Sequence, residues 1–252
     1  MTTATIAEDT VGHPVAALED WIARRRALLE REKALTRLGD EIARERRALP
    51  WVRVDKDYVF DTLDGPRSLR DLFDGRRQLM VQHFMFGPGW EQGCKSCSFM
   101  ADHLVGAQVH LQHRDVSVLL VSRAPLPEIE RFRRRMGWQF QWVSSHGTDF
   151  NRDFGVTFSK DEADAKATAY NYGTVPVNSE ELPGLSTFYK NERGEVFHTY
   201  STYARGLDIL VGTYNVLDMA PKGRDESSLP WTMAWVRRHD EYETAQQPSC
   251  CG

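Results

Sequence analysis

The sequence has little cysteine, no long apolar run and no large excess of charge of one sign. Its 252 residues include four cysteines, and the formal net charge at pH 7 is −4. No run of about 18 consecutive apolar residues is present, so the sequence predicts no membrane-spanning helix. A slightly negative charge gives no sign of a nucleic-acid footprint. We therefore expect neither a membrane nor a nucleic acid among the partners of this protein.

The first 20 residues lack both a basic start and an apolar core, so the sequence predicts no secretory signal. The cytoplasm is then the expected location. Four cysteines are too few for a disulfide scaffold in a chain of this length. In a reducing compartment, paired cysteines more often serve catalysis or metal binding.

Composition and periodicity divide the chain into four parts. Residues 15–50 predict an amphipathic helix, because apolar side chains recur every seven residues from Trp21 to Leu49 and Pro50 follows. This helix either packs on its own domain or forms a homodimer through residues 15–49. We expect a disordered tail at 1–14, a main domain at 51–221 and a C-terminal extension at 222–252.

The main domain alternates between strand and helix patterns. The apolar runs QLMVQHFMF (78–86), DVSVLLVSR (115–123) and QFQWVSS (139–145) predict strands, with helices between them at 98–113 and near 126–138. This order predicts parallel strands with helical crossovers, and so the α/β class. Further along, residues 157–184 are polar and predict an insertion loop, 185–201 a hairpin and 206–221 a helix.

Two cysteines, Cys94 and Cys97, lie three positions apart where a buried strand gives way to a helix. A cysteine at a helix N-terminus has a lowered pKa, because free amide groups and the helix dipole favour the thiolate. We therefore predict that Cys94 is a nucleophile and that Cys97 closes or opens a disulfide with it. This pattern inside a βαβ unit is typical of thioredoxin-like dithiols. Such chemistry needs no cofactor.

Four nearby residues are candidate supporting groups. His83, on the strand before the loop, is either a core histidine or a group that stabilises the Cys94 thiolate. Trp90 is expected to cover the site. Glu91 is either a proton acceptor or an exposed loop acid, and Lys95 adds positive charge beside the pair.

A metal site is the alternative use of the same cysteines. A closed tetrahedral zinc site needs four ligands, and no second C-x-x-C is present, so two ligands must come from elsewhere. The candidates, for zinc, copper or an iron–sulfur centre, are Cys94, Cys97, His83, His103 and the terminal pair Cys250 and Cys251. In that case the protein would be a sensor or a storage protein.

Several motifs carry a resemblance to a known family. The segments FMFGPGWEQGCKSCSFMAD, DFNRDFGVTF, ELPGLSTFYKNERGEVFHTYSTYARGLD and LVGTYNVLDMAPKGRDE resemble a bacterial family known as domain of unknown function 899. The resemblance spans roughly residues 15–245. It implies a thioredoxin-like, and more closely peroxiredoxin-like, fold and a dithiol–disulfide oxidoreductase activity. The implied partners are a protein or small-molecule disulfide as substrate and a dithiol as reductant.

The sequence departs from two patterns of the wider superfamily. Peroxiredoxins carry P-x-x-x-[TS]-x-x-C, but here Pro88 lies six residues before Cys94, and the threonine position counted from that proline holds Gln92. Thioredoxins place a proline directly before the strand after the insertion, where this sequence reads Gly184-Leu185-Ser186, with Pro183 a little early. The first departure argues against a peroxidase site. The second means either that Pro183 substitutes from a shifted position or that the substrate-docking contact is made differently.

Overall fold

The computed structural model describes residues 12–243 and the backbone of Thr5–Ile6. The chain divides into two units, Met1–Pro50 and Trp51–Gly252. The predicted tail 1–14 falls largely outside the described residues, although strand β1 (Thr5–Ile6) pairs antiparallel with strand β2 (Pro14–Val15).

The first unit is dominated by one long helix, α1 (Leu18–Ala48), as the heptad spacing predicts. None of the 31 residues of α1 is buried, and the apolar stripe that includes Trp21, Leu28 and Leu35 is exposed. The charged positions form local pairs, such as Lys33 Nζ with Glu30 Oε1 at 2.9 Å, which support a helix modestly. The next two residues, Leu49 and Pro50, end the helix.

The second unit is built on a mixed eight-stranded sheet. Its elements follow the chain in this order: β3 (Val52–Arg53), β4 (Val59–Thr62), β5 (Gly65–Ser68), a 3₁₀ turn (Asp71–Phe73), β6 (Gln78–His83), α2 (Lys95–Val105), α3 (Gln108–Gln112), β7 (Val116–Ser122), α4 (Leu126–Arg135), β8 (Trp142–Ser144), α5 (Phe150–Asp153), α6 (Lys160–Asp164), β9 (Thr168–Ala169), α7 (Tyr170–Gly173), β10 (Val175–Pro176), β11 (Gly184–Lys190), β12 (Val196–Tyr203), a 3₁₀ segment (Ala204–Leu210) and α8 (Gly212–Leu217).

The strand order across the sheet is β3-β12-β11-β6-β7-β8-β4-β5. Strands β6, β7 and β8 run parallel, joined by crossovers that contain α2 and α4, whereas the hairpin β11–β12 lies antiparallel on the other side of β6. This β-α-β unit followed by an antiparallel hairpin is the arrangement that the resemblance to thioredoxin-like proteins implies. The predicted fold class, a central mixed sheet flanked by helices with a long N-terminal helix, is confirmed.

Alternation along β6 distributes its side chains between two buried layers. Leu79 and Val81 pack with Phe150 and Phe188 on one face of the sheet. Phe84, just beyond the strand, packs on the other face with Cys97, α4 and the tryptophans that follow it. Because both faces are covered, apolar residues make up at least half of each of the parallel strands β6, β7 and β8.

Three sequence expectations differ from the structure. The helix predicted at 98–113 begins earlier, at Lys95, and is interrupted around Gly106. The helix predicted at 206–221 is a 3₁₀ segment followed by the short α8. The segment 157–184 is not a plain loop but contains α6, β9, α7 and β10.

The segment 157–184 is held by a small core of its own. Phe158, Tyr170, Val177 and Leu182 are buried together with Tyr203 of β12. These apolar residues are spaced without a helical or strand period, so the sequence pattern did not reveal that they share one cluster.

Candidate active site

The loop between β6 and α2 folds back, so that its last residue, Cys94, contacts Met85 just beyond the end of β6. The N–H of Cys94 donates to the carbonyl oxygen of Met85 at 3.1 Å, and Cys94 is the N-cap residue of α2. Gly93 precedes it in a tightly packed position, where a Cβ atom would lie 2.6 Å from Phe84 and 2.9 Å from Phe132. Only glycine fits without movement of these rings, and so Gly93 brings the loop close enough to seat Cys94 at the helix start.

The two thiols are free and differ in exposure. Cys94 is half-buried, whereas Cys97, one turn into α2, is 2% exposed. The N–H of Met85 donates to the Cys97 sulfur at 3.5 Å, and Gln82 Nε2 donates to the Cys97 carbonyl oxygen at 3.1 Å. Two contacts from β6 and the residues just after it therefore fix Cys97, and Cys94 is the more exposed residue of the pair.

The surroundings make Cys94 the more acidic thiol. A hydrogen bond from Cys97 lowers the pKa of Cys94 to about 6 against the opposing effect of burial, with smaller help from the N–H groups of Cys97 and Ser96 and from the charge of Arg238. The same hydrogen bond, together with burial, raises the pKa of Cys97 well above its usual value. At neutral pH, Cys94 is thus mostly a thiolate and Cys97 a thiol. A dithiol site needs one ionised sulfur as nucleophile and one protonated sulfur in reserve.

Glu181 is a buried carboxylate whose charge affects the pKa of Cys97. Its carboxylate pairs with Arg123 and accepts a hydrogen bond from Thr157 Oγ1 at 3.2 Å. Burial raises the pKa of Glu181, although the Arg123 charge opposes this. The electrostatic effect of Glu181 adds to the increase in the pKa of Cys97. Sequence reasoning missed Glu181, because it lies in the polar segment read as an insertion loop.

His83 lies on the opposite face of the sheet from the cysteine helix. Its neighbour Gln82 points toward Cys97, so His83 points the other way, where it stacks on Phe150. Both ring nitrogens are engaged, Nε2 with Ser186 Oγ at 2.9 Å and Nδ1 with Asn151 Oδ1 at 3.3 Å. Burial lowers the pKa of His83 to about 4, so the ring is neutral. It occupies the core position, and the structure does not bring it to the thiols.

The other predicted supporting residues line one groove at the start of α2. This surface, called the thiol groove below, is lined by Trp90, Glu91, Gln92, Lys95, Arg237, Arg238 and Glu241. Trp90 is 36% exposed, and its indole packs over Gly87. Glu91 and Lys95 are exposed. Trp90, Glu91 and Lys95 therefore share this surface with a C-terminal segment that sequence reasoning did not connect to them.

The described residues do not by themselves assemble the metal site that was the alternative. Within residues 12–243, no group of three or more His, Cys, Asp or Glu side chains is placed to hold a metal ion. His103 is engaged on both sides, since Nδ1 donates to the Phe99 carbonyl oxygen at 2.6 Å and Nε2 accepts from the Thr213 N–H at 2.9 Å. Cys250 and Cys251 lie outside the described residues.

The structure corrects the interpretation that Pro183 lies too early for the thioredoxin pattern, because β11 begins at Gly184 and a proline therefore stands directly before it. Pro183 immediately precedes the strand, and its carbonyl oxygen accepts a hydrogen bond from the buried Tyr170 hydroxyl. Gly184 of β11 pairs with His83 of β6, and a Cβ atom at Gly184 would lie 2.8 Å from Val156. The start of β11 is therefore tied to the segment 157–184.

None of the described helices is at once long enough and apolar enough to cross a lipid bilayer. A comparison with curated proteins finds no significant match.

Solved structures with a similar chain path are peroxiredoxins. Peroxidoxin BcpB from Mycobacterium tuberculosis is 14% identical, with 66% of this chain and 96% of that chain covered and a TM-score of 0.43. The bacterioferritin comigratory protein of Xanthomonas campestris is 15% identical, with 63% and 90% covered and a TM-score of 0.39. The mitochondrial 2-Cys peroxiredoxin from Plasmodium falciparum is 12% identical, with 67% and 92% covered and a TM-score of 0.38.

Residues 10–242 match the family described as bacterial protein of unknown function (DUF899). The match includes both cysteines of the thiol site, the segment 157–184 and nearly all of the described C-terminal extension. The resemblance noted in the quoted motifs is confirmed: the chain belongs to the bacterial family DUF899.

Proposed function

We propose that this protein is a dithiol–disulfide oxidoreductase with Cys94 as nucleophile and Cys97 as resolving residue. The observation that carries the proposal is the hydrogen bond from a protonated Cys97 to Cys94, the half-buried N-cap residue of α2, which lowers the pKa of Cys94 to about 6. A thiolate with a pKa somewhat below ambient pH is mostly ionised and still a competent nucleophile and leaving group.

The reaction has two exchange steps. The Cys94 thiolate attacks one sulfur of a substrate disulfide, so that a mixed disulfide forms and the other substrate sulfur leaves as a thiolate. Cys97 then loses its proton and attacks the Cys94 sulfur, which releases the second substrate sulfur and leaves a Cys94–Cys97 disulfide. The substrate gains two electrons and the protein loses them. An external dithiol returns the protein to the reduced form.

The substrate is a protein or small-molecule disulfide, and it reaches Cys94 from the thiol groove. The groove mixes the charges of Lys95, Arg237 and Glu241 with the exposed ring of Trp90. Those features suit an extended peptide better than a small apolar molecule. A dimer through residues 15–49 and a cytoplasmic location remain predictions.

Gln92 supports disulfide exchange over peroxide reduction. Its side-chain oxygen accepts a hydrogen bond from Arg135 Nη1 at 2.8 Å, which directs it toward α4. It is thereby committed to a structural contact, in the position where the peroxiredoxin pattern has a threonine or serine.

The test is reduction of insulin disulfides by the full chain with a dithiol supplied. We expect activity in the wild type, none in Cys94→Ser, and a trapped mixed disulfide in Cys97→Ser. The double variant Cys250→Ser/Cys251→Ser separates the pair from the other two cysteines. Combined with Cys97→Ser, it should still trap the mixed disulfide.

Wild-type reduction no faster than that by free cysteine would end the proposal. A stoichiometric metal in freshly purified protein, lost in Cys94→Ser, would instead support the metal alternative.

A further inference from the structure

A C-terminal segment, residues 229–243, lies across the start of α2 and the cysteine loop. Val236 is buried against Phe99 and Met100 of α2. Further along the segment, His239 Nδ1 contacts Asp102 Oδ1 of α2 at 2.7 Å, and Asp240 pairs with Arg135 of α4 at 2.7 Å. These contacts hold the segment against both α2 and α4.

Arg238 is the one buried cation of the described part of this segment. It is 7% exposed, and two of its nitrogens, Nε at 3.1 Å and Nη2 at 2.6 Å, donate to the carbonyl oxygen of Gly93. A third nitrogen, Nη1, pairs with Glu241 Oε1 at 2.7 Å. Its guanidinium also lies 5.6 Å from the ring centre of Phe132. Gly93 is the residue directly before Cys94, so this cation is anchored at the peptide unit that leads into the nucleophile.

We propose that Arg238 is a positioning residue for the Cys94 thiolate: it clamps the Gly93 carbonyl and holds a fixed positive charge at the start of α2. This inference deepens the proposed dithiol function and rests on it for its purpose. The clamp occupies a carbonyl oxygen that would otherwise present negative charge near the sulfur. The charge itself favours the anion, since an opposite charge nearby stabilises the ionised form of a thiol.

The other charged groups around Cys94 do not replace Arg238. Lys95 and Glu91, on the helix and loop that carry Cys94, are exposed, and so is Arg237. Exposed charges are screened strongly by solvent and salt, whereas a buried charge is screened much less. Arg135 pairs with two carboxylates, Asp240 at 2.7 Å and Glu241 at 3.0 Å, which reduces its effect on its surroundings, whereas Arg238 shares only the second of these. The positive charge of Arg238 also helps to lower the pKa of Cys94.

The test is the pH dependence of Cys94 alkylation, read at that residue by peptide mass spectrometry of the reduced full chain. We expect Arg238→Gln to raise the pKa of Cys94 by about one unit. Arg238→Lys keeps the charge but not the two-donor clamp, and it should give less than half of that shift. Arg237→Gln removes an equal charge one residue away and should shift the pKa less than Arg238→Lys does.

Three results would overturn the proposal: no shift in Arg238→Gln, equal shifts in Arg238→Gln and Arg238→Lys, or an equal shift in Arg237→Gln. If Arg238→Gln does not fold, Glu241→Gln decides. Removing that carboxylate leaves the Arg238 charge less compensated, so the pKa of Cys94 should fall further, and an unchanged or raised pKa would count against the proposal. Because alkylation needs no redox partner, an inactive wild type whose Cys94 still responds to Arg238 would refute the function and keep the inference.

Discussion

Cys94 and Cys97 have the same side chain, but their positions in α2 give the two thiols opposite acidity. Cys94 occupies the N-cap position of the helix, and a hydrogen bond from the Cys97 side chain lowers the pKa of Cys94 to about 6. Cys97 lies within the first turn, buried, and donates to Cys94, so its pKa is raised. A spacing of three residues is what allows both conditions, because it places the second sulfur one turn behind the first.

The lowered pKa of Cys94 makes the stability of the reduced protein depend on pH. A group whose folded pKa is depressed adds stability that is complete above its unfolded pKa and is lost as the pH falls through the folded value. We therefore expect the reduced wild type to gain stability relative to Cys94→Ser as pH rises from about 6 to about 8.5. Urea denaturation under reducing conditions measures this. Parallel pH profiles for the two proteins would contradict the assigned thiolate.

Gly93 gives a second prediction at the residue scale. In Gly93→Ala the new Cβ atom would meet Phe84 at 2.6 Å and Phe132 at 2.9 Å, so the loop must shift. We expect a loss of about 1–3 kcal/mol in the free energy of unfolding, together with slower alkylation of Cys94. Gly106→Ala is the matched control, since a Cβ there meets nothing within 4 Å and its backbone suits alanine. Equal losses in both variants would mean that the packing around Gly93 is not specific.

At the scale of the elements, the segment 157–184 is a docked part of the fold. Tyr170 on α7 is buried, its hydroxyl donates to the Pro183 carbonyl oxygen, and that hydroxyl accepts from the Ala204 N–H at 2.9 Å. The first bond lies within the segment, next to the start of β11, and the second joins the segment to the end of β12. A polar composition suggested a loop, but a few buried aromatic residues are enough to fix it.

Removal of the Tyr170 hydroxyl tests this attachment. In Tyr170→Phe, the Pro183 carbonyl oxygen and the Ala204 N–H, both of half-buried residues, each lose their partner, and we expect a loss of about 1–3 kcal/mol in the free energy of unfolding. Tyr172→Phe is the control: that ring is 70% exposed, although its hydroxyl also donates to a backbone carbonyl, of Ser201. Hydrogen exchange at the amides of β11 should increase in the first variant alone. Unchanged exchange in Tyr170→Phe would show that the segment is not anchored through this hydroxyl.

At the scale of the whole molecule, the sheet is the support that the site requires. Leu120 of β7 is fully buried at the centre of the sheet, on the face that carries the cysteine helix. We expect Leu120→Ala to lower the free energy of unfolding by about 2–5 kcal/mol, because the cavity cannot close among aromatic neighbours. Val59→Ala, at a site 49% exposed on β4, should change it by less than about 1 kcal/mol. Urea denaturation of both variants checks the assignment of faces, and similar losses would contradict it.

The strands and the thiol pair could be predicted from the sequence because each depends on residues that are close together in the chain. Apolar runs such as those of β6 and β7 must be buried on both faces, and two cysteines three residues apart at a strand–helix boundary have few other geometries. The prediction of one helix at 206–221 was wrong for a related reason. Its apolar spacing is amphipathic, but the chain changes at Val211 from a 3₁₀ segment to the short α8, and spacing alone does not distinguish these.

The amino-acid sequence by itself determined the class of fold, the family and the identity of the two thiols, because these depend on residues close together in the chain. Only the tertiary structure decided which groups surround them. It turned His83 to the opposite face of the sheet, placed buried Glu181 where its charge acts on Cys97, and brought Arg238 to the carbonyl of Gly93, 145 positions earlier. Contacts between such distant residues depend on how the sheet and helices pack, and no local pattern records them.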